Sequence, residues 1–306
     1  MTRRIPALAL MLLAPAIASA DDPIATTTKP ASPVDVLLGV DGPGRMTVPV
    51  KIGSNGPYNF TIDTGAERTV IARQLADLLQ LEPGPRVRLT AMAGVSDVGT
   101  VVIPALTVSA TGTTRVEAPA LDVHDLGAVG LLGLDTLQHH AVSIDVVNQR
   151  MLVRPSLRHG HRPAEPGEIV VEARSLLGQL VVTDASFRGT RVRVVIDTGS
   201  QVSMGNLALQ RAVARRTGEL HPVSLLSVTG KSLTANYTQI ASIMLGGVSI
   251  NNLPIAFADA PPFRRLGLDD RPAILLGMDA IKLFRRVDID FANREVRFAL
   301  PDGMPS

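Results

Sequence analysis

The sequence predicts a mostly β protein built as two similar lobes of one chain, and three observations lead there. Residues 48–63 (VPVKIGSNGPYNFTID) lie without a gap on residues 182–197 (VTDASFRGTRVRVVID), each reading as strand, Gly-containing turn, strand. The match runs on in the same order. Asp63-Thr64-Gly65-Ala66 falls beside Asp197-Thr198-Gly199-Ser200, residues 91–96 (AMAGVS) beside 227–232 (SVTGKS), 131–135 (LLGLD) beside 275–279 (LLGMD), and 144–150 (IDVVNQR) beside 289–295 (IDFANRE). A repeat of about 130–145 residues is the size of a domain, well above the about 20–50 residues of a solenoid or propeller unit. The segments between the repeated motifs are short, β-branched and punctuated by Gly and Pro, which favours strands over helices.

The elements follow in order. Residues 1–20 run from Thr2-Arg3-Arg4 through an apolar stretch to Ala18-Ser19-Ala20, the charged, apolar and small-residue order of a secretory signal peptide, with cleavage expected before Asp21. That stretch is shorter than the about 20 residues that span a bilayer, and no later segment is long and apolar enough. Residues 21–33 read as a disordered lead-in and 34–155 as the first lobe, with a helix expected over 73–81 and a strand over 100–108. Residues 156–168 (SLRHGHRPAEPGE) are rich in Pro, Gly and charge and read as a linker. The second lobe, 169–301, is expected to carry strands over 193–196, 240–245 and 295–300 and a helix over 207–216. Short turns are expected after Asp135 and Asp279.

Composition narrows the function. Loss of the leader removes Arg3 and Arg4, leaving 28 basic side chains against 28 acidic ones. A formally neutral chain is a poor partner for nucleic acid or an anionic membrane, and no stable membrane insertion is expected once the leader is gone. The absence of cysteine rules out a disulfide framework, a thiol nucleophile and a thiolate metal site. Two Tyr and no Trp leave no aromatic platform for sugars or bases. The histidines His139-His140, His159 and His161 lack the spacing of a zinc helix motif and read as solvated surface, so no metal and no cofactor is expected. Gly42-Pro43-Gly44 and Gly246-Gly247 read as turns rather than phosphate loops, and Arg215-Arg216 and Arg285-Arg286 as solvated faces. The destination is outside the cytoplasm: the periplasm, with the extracellular medium as the further possibility.

The chemistry concentrates in the repeated Asp-Thr-Gly. In each half an apolar strand, Phe60-Thr61-Ile62 or Val194-Val195-Ile196, delivers an Asp straight into a turn. A carboxylate at the end of a buried strand is costly unless it is hydrogen-bonded, and Gly65 and Gly199 let backbone amides approach it. Thr64 and Thr198 offer hydroxyls to tie the two loops together. If the repeat is a spatial pseudo-dyad, Asp63 and Asp197 meet on its axis and share one proton, giving a base and an acid side by side.

With these residues the sequence resembles the aspartic peptidases of the retropepsin and pepsin type, the bacterial retropepsin-like proteins in particular, over nearly the whole chain after the leader. Asp63-Thr64-Gly65-Ala66 is similar to the retropepsin motif and Asp197-Thr198-Gly199-Ser200 to the form common in pepsins. Leu132-Gly133 and Leu276-Gly277 lie in what resembles the family's second signature. Two flap-like segments, about residues 89–101 and 224–238, have expected tips at Ala93-Gly94-Val95 and Val228-Thr229-Gly230. Retropepsins carry two flaps and pepsins one, so the resemblance implies a fused version of the retropepsin homodimer: two closed β-barrel lobes related by a pseudo-dyad, acting as a monomer on a peptide or protein substrate. Leu134 and Met278 depart from the Arg that retroviral enzymes often carry after the Gly. The activity implied is peptide-bond hydrolysis by water activated between Asp63 and Asp197. The competing expectation is a periplasmic module of the same fold that binds peptides without cutting them.

Overall fold

The first lobe is built from β1 (Thr47–Ile52), β2 (Asn55–Ile62), β3 (Val70–Ala72), β4 (Val87–Ala91), β5 (Gly94–Val98), β6 (Thr100–Val108), β7 (Thr113–Leu121) and β8 (Gly130–Leu132). The computed structural model describes residues 46–108, 112–156, 162–183, 185–214 and 217–301. The expected leader and lead-in, Gly42-Pro43-Gly44, His159, His161 and Arg215-Arg216 lie outside the described residues. In β1, Val48, Val50 and Ile52 are buried while Pro49 and Lys51 face outward, the alternation of a strand with one covered face. The last three residues of β2, Phe60, Thr61 and Ile62, are all buried, so its end is covered on both faces and needs an unbroken run with little polarity. The order β1-β2-β8-β3-β7-β6 closes into a barrel because β6 returns to β1, Val108 opposite Val50. β8 runs parallel to β2 and antiparallel to β3, so the chain from Asp63 to Thr69 leaves the barrel at one end and re-enters beside its own exit.

The second lobe repeats this plan with its first hairpin interrupted. Its strands are β11 (Glu168–Leu176), β12 (Gln179–Val182), β13 (Ala185–Phe187), β14 (Thr190–Arg191), β15 (Arg193–Ile196), β16 (Met204–Gly205), β17 (His221–Leu226), β18 (Ser232–Leu245), β19 (Val248–Phe257) and β20 (Ala273–Leu276). Val182 pairs with Val194 as Val48 pairs with Phe60, so β12 and β13 together stand for β1, and β14 and β15 together for β2. The ladder survives the break, since Val192 N–H still donates to Ala185 C=O at 2.9 Å. β15 lies parallel to β20, β20 antiparallel to β16, β16 parallel to β19, and β18 pairs with β13, so the neighbours of the first barrel recur, here along a larger sheet that ends at β13-β14 because the first hairpin is interrupted, where a second closed barrel was expected.

A sheet shared by both lobes joins them: β10 (Arg150–Pro155) and β9 (His140–Asp145) from the first, then β21 (Arg286–Asp290) and β22 (Glu295–Ala299) from the second, then β11. β9 and β21 are antiparallel neighbours, Val142 opposite Ile289 and Ile144 opposite Val287, so the two repeats meet back to back. The recurring Ile-Asp…Asn here is turn chemistry. Asp145 accepts from the N–H and side-chain amide of Asn148, and Asp290 does the same for Asn293; Gln149 and Arg294 then take matching left-handed φ of 52° and 56°. Arg286, expected as a solvated face, instead bonds Asp288 and approaches Glu168, whose buried carboxylate also takes bonds from Arg162 and Arg297. The cause is that Glu168 opens β11 at the edge of this sheet and needs cationic partners to be buried.

Two helices stop earlier than the expected spans. The first is Arg73–Leu78; Leu81 N–H returns to Ala76 C=O and Gln80 takes φ 51°, a left-handed closure that turns Leu79 and Leu81 onto the core without extending the helix. The second is Leu207–Val213, started by Asn206, whose side chain accepts from Leu209 N–H. The turns expected after Asp135 and Asp279 are helical turns that include them, Leu134–Leu137 and Met278–Ile281. Leu134 and Met278 are both buried, which accounts for their apolar character.

Candidate active site

Each Asp-Thr-Gly loop springs from the end of a buried strand and is held by the neighbouring second-signature strand. Asp63 N–H donates to Leu132 C=O and Asp197 N–H to Leu276 C=O; Ala66 C=O accepts from Leu134 N–H and Ser200 C=O from Met278 N–H. Gly133 and Gly277 are required by space. A Cβ on Gly133 would lie 2.5 Å from Arg68 O and 2.7 Å from Thr69 N, and one on Gly277 would lie 2.7 Å from Val202 C. Below them, Thr69 and Ser203, both fully buried, accept a bond from the N–H of Gly133 or Gly277 and donate to Asp135 or Asp279. Burial pushes the Asp135 carboxyl up despite its bonds from Thr69. These two clamps were not singled out from the sequence, although Thr69 and Ser203 stand six residues after each catalytic candidate.

The two loops interlock. Thr64 hydroxyl donates to Ile196 C=O at 2.7 Å and accepts from Thr198 N–H at 3.1 Å; Thr198 hydroxyl donates to Ile62 C=O at 2.6 Å and accepts from Thr64 N–H at 3.1 Å. Four reciprocal bonds fix the loops against each other across the pseudo-dyad. They also bring each glycine against the other lobe's carboxylate: a Cβ on Gly65 would stand 2.6 Å from Asp197 Oδ1, and one on Gly199 would stand 2.5 Å from Asp63 Oδ1. Only a residue without a side chain fits there, because the two carboxylates occupy that space.

Asp63 Oδ1 accepts from the N–H groups of Gly65 and Ala66, each at 2.9 Å. Burial nevertheless pushes its carboxyl up to about 6, with those amides pulling the other way. Asp197, only 6% exposed, is pushed up to about 7 by burial and then by the charge of Asp63, against the amides of Ser200 and Gly199. The direction is the one expected when two carboxylates share a dry site: one proton is retained well above the usual carboxylate range. Ala66 and Ser200 act through their main chains, for Ser200 hydroxyl turns away to Val202 C=O.

The pair lies at the floor of a cleft of about 690 Å³ between the lobes, walled by Gly65, Gly199, Leu131, Leu275 and the inner sides of two hairpins. The β4–β5 hairpin and the β17–β18 hairpin stand where the flaps were expected. Their tips touch: Lys231 Nζ donates to Val95 C=O at 3.0 Å, and Met92 packs against the second lobe's cluster beside Leu225 and Leu233. Of the six expected flap residues, Val228 lines the cleft; the remaining lining comes from residues 87–92 and 225–227, one step nearer the hairpin stems. Ala93 and Gly94 form the tip of one hairpin and Thr229 and Gly230 the tip of the other.

Sequence reasoning missed contacts that cross between lobes. Gln179, 6% exposed, donates Nε2 to Gly65 C=O at 2.5 Å, and its Oε1 has no hydrogen-bond partner among the described residues. Arg265 makes a two-pronged pair with Glu67, Nε to Oε1 at 2.5 Å and the terminal nitrogen to Oε2 at 2.6 Å. Partners 114 and 198 residues apart leave no local pattern to read. Among the described residues no cluster of His, Asp and Glu is arranged to hold a metal ion. His139 is exposed, whereas His140 is half-buried, its Nδ1 without a partner among the described residues and its ring held below the usual histidine range by burial.

Two lobes of one plan, crossed Asp-Thr-Gly loops and a shared carboxylate pair define the class of two-lobed aspartic peptidase folds. Residues 48–139 match the family described as gag-polyprotein putative aspartyl protease, and residues 183–280 match the family described as aspartyl protease. The chain belongs to the retropepsin-like aspartic peptidase family, with an aspartyl protease domain in each lobe. No curated protein matches the chain.

Proposed function

We propose that the protein is an endopeptidase that hydrolyses peptide bonds with water activated between Asp63 and Asp197. The single observation that carries the reading is the crossed packing of each loop glycine on the opposite carboxylate, which leaves two acids side by side on the cleft floor. Burial raises both carboxyls and each is approached by two amides of its own loop, so the pair retains one proton and supplies a base and an acid side by side. The ionised carboxyl takes a proton from the attacking water as the protonated one gives its own to the carbonyl oxygen. The tetrahedral intermediate collapses as the carboxyl that took the water's proton passes it to the leaving nitrogen and the other carboxylate recovers a proton from the intermediate's hydroxyl. An extended peptide lies along the cleft under the two hairpins, its main chain bonded to their inner edges. Pairing of β9 with β21 inside one chain supports an active monomer.

The test is incubation of the protein, lacking residues 1–20, with a diverse peptide pool, reading new termini by mass spectrometry with and without a statine-type inhibitor. Inhibitor-sensitive internal cleavage is expected. A folded protein that retains peptides uncut at every pH would replace this reading with the peptide-binding module.

A further inference from the structure

The pseudo-dyad is broken in charge along the cleft. Helices Val123–Leu126 and Pro261–Arg265 are counterparts: each lies between the second strand of the long hairpin (β7 or β19) and the second-signature strand (β8 or β20). Each is closed by a left-handed glycine, Gly127 at φ 63° and Gly267 at φ 64°. Two residues before those glycines stand Asp125 and Arg265, and both line the cleft. Four residues after the paired aspartates stand Glu67 and Gln201, which also line it. At one end of the cleft Arg265 is therefore neutralised by Glu67 across the lobes. At the other end the equivalent positions hold Asp125 and Gln201, and Gln201 carries no charge to answer the carboxylate.

The surroundings of Asp125 leave that charge uncompensated. It has no ion-pair or hydrogen-bond partner among the described residues. The tip of the β17–β18 hairpin closes over it, since a Cβ on Gly230 would stand 2.6 Å from Asp125 Oδ2. The nearest lysine along that tip, Lys231, commits its ammonium to Val95 C=O of the opposite hairpin. His124, the next residue, is exposed and lies beside Asp122. At the far end the balance is the reverse, because Arg88 on β4 lines the cleft, has no ion-pair partner among the described residues, and sits on the strand that packs against helix Pro261–Arg265.

We propose that Asp125 is a specificity-determining residue that selects a Lys or Arg side chain of the substrate peptide at the one subsite beneath the β17–β18 hairpin. The proposal rests on the peptidase reading and adds the substrate class. A basic side chain entering there gains a carboxylate sheltered by the hairpin tip, whereas one entering the opposite end meets Arg88 and a pair already satisfied. The preference therefore falls at a single position of the peptide, on one side of the cut.

The experiment has a cleavage arm and a binding arm. In the first, wild type, Asp125→Asn and Asp125→Lys are assayed on peptide sets in which one position at a time is Lys, norleucine or Glu. Lys is expected to exceed norleucine by about tenfold in kcat/KM at one position in wild type, as for a charge-assisted contact partly shielded from water. Asp125→Asn should erase that ratio while still cleaving norleucine peptides, Asp125→Lys should favour Glu there, and added salt should shrink the wild-type ratio. Cleavage with no basic preference, or a preference untouched in Asp125→Asn, overturns the proposal. In the second arm, affinities of the same Lys and norleucine peptides for wild type and Asp125→Asn are measured by fluorescence anisotropy. If nothing is cleaved, the peptidase reading fails, and equal affinities in this arm overturn the charge selection separately.

Discussion

Replacing Gly199 by Ala tests whether the two loops are as tightly coupled as their geometry implies. A Cβ there would sit 2.5 Å from Asp63 Oδ1, against the 3.4 Å at which ordinary contact begins, so the carboxylate must retreat by about 0.9 Å. It cannot do so freely, because Oδ1 is held by the N–H groups of Gly65 and Ala66. A displacement of about 1 Å of a catalytic group costs on the order of 10²-fold in rate, equal to about 2.7 kcal/mol of barrier. Loosening the two amide bonds adds a stability loss of about 1–3 kcal/mol. The assay is kcat and KM on any peptide the wild type cleaves, with thermal melting alongside. Gly218→Ala is the control, since among the described residues a Cβ there meets only Thr238 Oγ1 at 3.5 Å, and it should leave kcat unchanged. A Gly199→Ala protein with kcat within about threefold of wild type would refute the reasoning, because a barrier change of less than about 0.7 kcal/mol means the carboxylates do not fill that space.

Two further outcomes follow from the same geometry. Both carboxyls are raised above the ordinary 3.8, so the folded pair holds protons that the unfolded chain has released, and stability falls as pH climbs from about 4 through about 7. Asp197→Asn removes the share of that penalty carried by Asp197 and leaves the share from the burial of Asp63; its melting temperature relative to wild type should rise from acid to alkaline pH, and a difference independent of pH would count against a shared buried proton. Ser203→Ala strips Gly277 N–H and Asp279 of a fully buried partner, which should cost about 1–3 kcal/mol in denaturant unfolding. An unchanged midpoint would show that the clamp is not structural.

What could be read from the sequence was what repeats or follows a local period. The doubled Asp-Thr-Gly is legible because each copy needs a strand before it and a glycine within it. The recurrence of 144–150 at 289–295 is legible as a repeat, while its role as an Asp…Asn turn, in which a side chain accepts from the backbone three residues on, came only with the structure. The β4–β5 and β17–β18 hairpins lie over the expected spans, although the residues facing the cleft are nearer the stems, where only the final twist of each hairpin decides which side chains turn inward. The helix over 73–81 was overdrawn because Leu79 and Leu81 continue the apolar content of a helix while Gln80 takes a left-handed turn to deliver them to the core. Gln179, Glu67 with Arg265, and Asp125 under Gly230 were illegible for one reason. The position of Glu67 beside the first Asp-Thr-Gly, where the second lobe has Gln201, is visible in the sequence, but each of these residues meets its partner only when the two lobes face each other, and nothing near it in the chain marks that partner.

The measurement closest to the central claim is the initial cleavage rate of Asp63→Asn and Asp197→Asn on one peptide, from about pH 3 to about pH 9, with melting curves to show that both variants fold. General acid–base catalysis is worth about 10²–10⁴-fold, so both variants should fall by at least that much at every pH. Either variant cleaving within about tenfold of wild type would contradict the account, since neither carboxyl can replace the base and the acid alone.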